Sequence, residues 1–221
     1  MIRKIKVMGL SCVAVLALGA MSASAAQSAS WDAEKTPASI TATSAAISHW
    51  TMGNGARVIS CASKHTGLLP STKFYIDVTP EYSGCTSTGG LPATITANGC
   101  TFAWTPTSVT TGTQTINCPV GEQMTFNVYA NATKQKEGIT ACEATIAAQG
   151  PLNGLGFSNQ GAGKERYVAM TTNISIKANA LKGSKLLCGA AAGESFWISN
   201  SANLNATGSD SWGAVGIFIA K

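Results

Sequence analysis

Residues 93–104, Ala-Thr-Ile-Thr-Ala-Asn-Gly-Cys-Thr-Phe-Ala-Trp, decide the fold class. Asn98-Gly99 is the preferred centre of a type I′ turn, because both central positions need positive φ. On either side, apolar and hydroxyl residues alternate with period two. A two-residue turn pairs Ala97 with Cys100, Ile95 with Phe102 and Ala93 with Trp104, all on one face. Thr94, Thr96 and Thr101 then share the other. Turn chemistry and pattern give the same register, so a β-hairpin with one apolar and one hydroxyl face is expected.

The same alternation extends outward. Lys73–Val78 reads as a strand with Phe74, Ile76 and Val78 on one face. Ser39–Ser48, Ala56–Ala62, Gln114–Cys118, Met124–Ala130, Cys142–Ile146, Ile174–Ala178, Ser195–Ser199 and Ala214–Ala220 read as further strands. Residues 149–166 (QGPLNGLGFSNQGAGKER) read as a long glycine-rich loop, with Leu152, Leu155 and Phe157 as plugs, and a loop of that length is a candidate binding surface. Short strands punctuated by turns indicate an all-β fold: a disulfide-stapled antiparallel β-sandwich, Ig-like or jelly-roll-like, in a single domain over 38–221. An outer-membrane barrel is disfavoured, since it needs longer uniform strands and aromatic girdles, and aromatics make up only 7% of the chain.

The chain opens with a basic stretch holding Arg3, Lys4 and Lys6, an apolar run from Val7 to Met21, and Ala23-Ser24-Ala25, a small-x-small site. Residues 1–25 read as a cleaved signal peptide and 26–37 as a flexible lead-in. No transmembrane segment is expected after cleavage, because the apolar run is shorter than the ~20 residues a spanning helix needs. Cleavage removes three of the 15 basic residues and leaves them nearly balanced by the 10 acidic ones. No basic stripe remains, which argues against nucleic acid as a partner. The expected location is secreted or cell envelope.

Beyond the signal lie Cys61, Cys85, Cys100, Cys118, Cys142 and Cys188. An even count in an exported chain implies three disulfides, with 15 connectivities open. Joining neighbours along the chain gives Cys85–Cys100 and Cys118–Cys142, with Cys61–Cys188 tying early strands to late ones. No CxxC pair is present, and Cys61 with His65 lies at a strand end, so neither a metal nor another cofactor is expected. The order Tyr82-Ser83-Gly84-Cys85, Asn98-Gly99-Cys100-Thr101, Cys118-Pro119-Val120-Gly121 and Cys142 resembles an uncharacterised family of exported actinobacterial proteins, over roughly residues 56–210. The resemblance implies export and a shared disulfide framework, and it implies no activity.

Catalytic signatures are missing: no GxSxG, no HExxH and no P-loop. His49 reads as a strand-end residue and His65 as part of a polar loop. No spacing among the acidic residues singles out a pair for sugar hydrolysis. The function expected is therefore non-enzymatic: a surface or envelope interaction module for an unknown protein or glycan. A carbohydrate-binding module is the alternative, with Trp50, Tyr75, Tyr129, Trp197 and Trp212 as candidate stacking rings. A glycan-acting hydrolase without a motif is the third reading. Exposed aromatics would favour the second, and two acidic residues meeting in a cleft the third.

Overall fold

The computed structural model describes residues 29–53, 55, 57–184, 188 and 190–221. The signal at 1–25 lies outside them. The fold is all-β. Its strands are β1 (Ser30–Ala33), β2 (Ala38–Ser44), β3 (Ser48–Met52), β4 (Arg57–Leu69), β5 (Ile76–Ser87), β6 (Leu91–Thr96), β7 (Thr101–Pro106), β8 (Thr111–Asn117), β9 (Met124–Tyr129), β10 (Thr140–Ile146), β11 (Gln149–Gln160), β12 (Tyr167–Lys182), β13 (Ser195–Asp210), β14 (Gly213–Val215) and β15 (Ile217–Ala220). A short helix, α1 (Ala132–Lys136), lies between β9 and β10.

These strands build a closed wall of eight antiparallel positions in chain order. Four positions are single strands: β4, β5, β12 and β13. The other four are consecutive segments that share the same neighbours: β2 with β3, β6 with β7, β8 with β9, and β10 with β11. β13 pairs with both β2 and β3, and β4 with β5, so the circuit closes. This corrects the expected two-sheet sandwich to an up-and-down barrel. Period-two alternation fits both architectures; what separates them is the long-range pairing of the last wall strand with the first.

Along β12 the inward row is Val168, Met170, Thr172, Ile174, Ile176, Ala178 and Ala180, all buried. The outward row carries Thr171, Asn173, Ser175, Lys177 and Asn179. That is the reverse of a membrane barrel, which is apolar outside and polar inside. Among the described residues no helix is long and apolar enough to cross a membrane.

The segments meet at a waist, where the chain kinks and the ladder changes neighbours. The Asn98-Gly99 turn is one of these kinks. Both residues have positive φ (50° and 77°), and the Cys100 N–H donates to the Ala97 carbonyl at 2.9 Å. The hairpin ladder itself does not form: β6 pairs with β9 and β7 with β8. The expected face survives, with Ala93, Ile95, Cys100, Phe102 and Trp104 buried. The Asn98 side chain instead clasps the kink in the next wall position, donating to the Gln123 carbonyl at 2.8 Å and to Thr125 Oγ1 at 2.9 Å. Gln149 acts similarly between β10 and β12: its amide accepts from the Lys177 N–H at 2.9 Å and donates to the Lys177 carbonyl at 2.8 Å.

The other sequence expectations also meet corrections. Part of the expected lead-in is a strand: β1 pairs with β15, and Trp31 is fully buried against Phe157 (5.6 Å) and Trp104 (6.5 Å). Together β1 and β15 cap one end of the barrel; α1 lies at the other. The glycine-rich segment is mostly the strand β11, followed by a 3-10 turn at Gly163–Glu165. Its glycines allow close approach: a Cβ on Gly154 (φ +121°) would sit 2.1 Å from the Asn173 carbonyl oxygen. Phe74 is exposed, because the strand starts at Ile76.

The disulfides are Cys61–Cys85, Cys100–Cys118 and Cys142–Cys188, with Cα separations of 4.2, 4.1 and 5.4 Å. All three expected pairings are corrected. Each cysteine does bond a neighbour in chain order, but the series starts at Cys61 with Cys85 and is set by the wall: Cys61 and Cys85 lie on paired β4 and β5, and Cys100 and Cys118 at adjoining kinks. Loops of these lengths stabilise by roughly 3–4 kcal/mol each in the chain-entropy account.

Non-reducing peptide mapping should return these three cross-linked peptides and no Cys85–Cys100 peptide. Gly154→Ala should lower stability by roughly 1–3 kcal/mol through overpacking against β12, read as a shifted denaturant midpoint at unchanged slope. An unchanged midpoint would show that β11 does not press on β12 there.

Candidate functional site

Three places bring chemistry-bearing residues together. The first is inside the waist. Ser48, Ser63, His65, Gln114, Thr172 and Asn200 line a cavity of about 10 Å³, too small for a ligand. Ser48 and Ser63 share a 2.6 Å hydrogen bond, Thr172 donates to Asn200 Oδ1 at 3.0 Å, and the Trp104 indole donates to Gln114 Oε1 at 3.0 Å. His65 lies in β4, not in a loop, and is 5% exposed. Its ring is surrounded by Trp104 (5.3 Å), Phe102 (5.7 Å) and Tyr82 (6.1 Å). Burial lowers its pKa from 6.5 to about 4, so the ring is neutral, and it pushes the Tyr82 phenol up. No carboxylate lines this cavity to orient the ring, so it lacks the makings of a Ser-His-Asp triad.

The second place is at the capped end. Glu34, Lys35, Lys164, Asp210, Trp212, Ala214 and Val215 line a cleft of about 220 Å³. The turn after β13 presents Trp212 with 87% of its surface exposed. Asp210 fixes that turn: Oδ1 accepts from the Trp212 N–H at 2.7 Å, and Oδ2 from Lys35 Nζ at 2.6 Å. The Lys35 ammonium, with the Trp212 N–H, holds the Asp210 carboxyl below its usual range. Gly216 lets the two sides of the cleft close up, since a Cβ there would meet the Gly163 carbonyl at 2.2 Å and Glu34 Cδ at 3.0 Å.

The third is a slot in the wall. β5 pairs with β7 over Ile76–Val78 and with β6 over Thr86–Ser87. Between these, residues 79–85 have no partner on that side, and neither do residues 93–96 of β6 among the described residues. The opening is a groove of about 620 Å³, lined by Tyr82, Ser83, Thr86, Thr94, Thr96 and Gln135 among others.

The five candidate rings separate. Trp50 and Tyr129 are buried; Trp50 packs on Phe126 at 5.0 Å. Tyr75, Trp197 and Trp212 are exposed. Tyr75 lines its own groove beside Leu68, and Trp197 stands on the outer face of β13 opposite Lys177. No described cleft holds two of the three. Sequence reading missed His65 as an interior residue and missed the slot. For His65 the signal was present: Cys61, Ser63 and His65 alternate on one face of β4. For the slot there was none, because unpaired edges read like paired ones. No group of three metal-ligating side chains occurs among the described residues. No family model matches this chain, and no curated protein or solved structure is significantly similar to it.

His65 carries a pH dependence with a definite sign. Between pH 6.5 and about 4 the unfolded chain binds a proton that the folded one excludes. The stability from neutral burial is therefore full above pH 6.5 and falls as pH drops towards 4, by about 3 kcal/mol. Against His65→Phe, the native protein should lose that extra stability over this window in denaturant titrations. Parallel pH profiles would show that His65 is solvated.

Proposed function

We propose that this is an exported, non-enzymatic interaction module that binds a glycan at the capped-end cleft. The observation that carries it is Trp212, a fully presented flat ring beside a fixed Lys35–Asp210 pair. Sugar rings stack their C–H faces on indole, while charged and polar groups at the rim take hydroxyls. Asp210 spends both oxygens on holding the turn, so the backbone that carries the ring is set before any ligand arrives. Export is supported by residues 1–25 and by three disulfides, which persist in oxidising compartments.

Glu34 and Asp210 both line the cleft, which is the observation favouring a glycan hydrolase. That chemistry needs one carboxyl held protonated as a general acid. It also needs a second, ionised carboxylate with an oxygen free to attack or to activate water, and Asp210, ionised beside Lys35, has Oδ1 on the Trp212 N–H and Oδ2 on Lys35 Nζ. The cleft therefore reads as a binding site.

Tryptophan fluorescence with neutral chito-, manno- and arabino-oligosaccharides should show saturable binding by at least one. Trp212→Ala should weaken it at least tenfold, about 1.4 kcal/mol, with disulfides and circular dichroism unchanged. Binding that survives the substitution places the ligand elsewhere. Release of reducing ends during the titration would replace binding by hydrolysis.

A further inference from the structure

We infer that the slot between β5 and β6 is a second binding site, one that takes an extended, uncharged polypeptide segment as an added strand. It is separate from the Trp212 cleft and does not depend on it.

Two observations coincide. The pairing stops along 79–85 and 93–96, and a groove of about 620 Å³ opens at the same residues. That volume is in the range of ligand-binding clefts. The slot lies within a seam that pairs directly on both sides of it, β5 with β7 and β5 with β6. An occupant is therefore an extra strand between β5 and β6.

The chemistry of the walls selects the occupant. Each wall is a strand edge with backbone N–H and C=O groups that have no ladder partner on that side, and these are matched by another extended backbone. Seven unpaired residues on β5 correspond to roughly 23 Å of strand. β5 and β6 run antiparallel, so an inserted segment lies antiparallel to one wall and parallel to the other. No Lys, Arg, Asp or Glu lines the groove; its polar side chains are hydroxyls and one amide. A charged side chain turned inwards would lose hydration without gaining a counter-ion, so the segment is uncharged on that face. Exposed edges usually carry charged residues that block such pairing; here Pro80 and Pro92 stand near the ends of the walls, and the charged residue between them on β5, Glu81, lies opposite Lys64 of β4 and does not line the groove.

The walls are also tied away from the slot. Gly84 (φ +60°) and Cys85 bulge opposite Cys61, and the Cys61–Cys85 bond ties β5 outward to β4. On the other side, the Asn98-Gly99 kink and the Cys100–Cys118 bond tie the chain outward to β8. Cys85 and Cys100 flank the slot and each bonds away from it. Walls fixed in this way lose little freedom on binding.

The test uses the oxidised full-length protein and amide exchange followed by NMR. In the free protein, slot-facing amides within 81–85 and 93–96 should exchange faster than those of the β12–β13 ladder. The probes are capped seven-residue peptides of alternating Thr, Val, Ser and Asn, and matched peptides with Glu or Lys at every second position. At least one uncharged peptide should bind with Kd below about 1 mM and protect amides on both walls. Its charged counterparts should bind at least tenfold more weakly. Ser83→Trp, which fills the groove, should weaken peptide binding at least tenfold while leaving oligosaccharide binding at Trp212 unchanged. The inference is overturned if the slot amides are already protected in the free protein, or if no uncharged peptide protects them. It is equally overturned if chito-oligosaccharides protect them instead, or if protection follows protein concentration and so reports a second copy of the chain.

Discussion

Closure of the wall is the constraint on which everything else depends. A sheet with free edges invites pairing with other chains, and joining its last strand to its first removes them. Here β13 meets β2 and β3, and every other wall strand meets its chain neighbour. Closure also fixes which side is inside, so one residue in two must fit a shared interior. The barrel meets that demand with Val, Ile, Met and Ala inward and Thr, Ser and Asn outward, which accounts for its low charge. A helix would have needed Glu and Lys on its outer face; a strand can solvate itself with hydroxyls and amides.

Length creates the second problem. Strands of up to 16 residues are long for a barrel of this size, and four wall positions are not continuous. Each is spliced at the waist, where the ladder fails for a few residues. Side-chain amides then stand in for backbone partners: Asn98 on the Gln123 carbonyl, Gln149 on both backbone groups of Lys177, and Asn159 on both backbone groups of Ile219 at the cap. The interior changes at the same level. Apolar halves around Trp31, Trp104 and Phe157, and around Trp50 and Phe126, meet at the hydroxyl and amide belt that surrounds His65. A charged imidazolium there would face aromatic rings and neutral groups alone, which is why burial dominates its titration.

Local patterns were legible in the sequence and non-local ones were not. The inward faces of residues 93–104, 124–130 and 174–178 follow from alternation. The positive φ of Asn98 and Gly99 follows from their identity. What two such residues connect does not: the same turn that closes a hairpin also serves as a splice between collinear segments, and only the neighbours β8 and β9 decide between them. The cysteine pairing failed in its starting point: neighbours in chain order do bond, and only the pairing of β4 with β5 shows that the series begins with Cys61 and Cys85. Glycines misled in β11, where Gly150, Gly154 and Gly156 read as loop and in fact admit close packing against Thr115, Asn173 and Thr171. Of the candidate site, Trp212 was legible as a ring. Its exposure was not, because it depends on the Asp210 clamp, and Lys35, which completes that clamp, lies 175 residues away in the chain.

The disulfides show how these levels connect. If cross-links served only to shorten the unfolded chain, any pairing that closes a loop would do, and Cys85 with Cys100 would close one across the slot. That bond would also pull β5 onto the β6–β7 position and favour a fully zipped wall. The observed pairing stabilises by the same loop-closure mechanism while leaving that seam free. The bulge in β5 is bonded to β4, and the kink between β6 and β7 is bonded to the kink that follows β8, so both covalent ties lead away from the seam. The opening thus lies between covalent ties that lead away from it, and the remaining pairs at Ile76–Val78 and Thr86–Ser87 close the barrel above and below it.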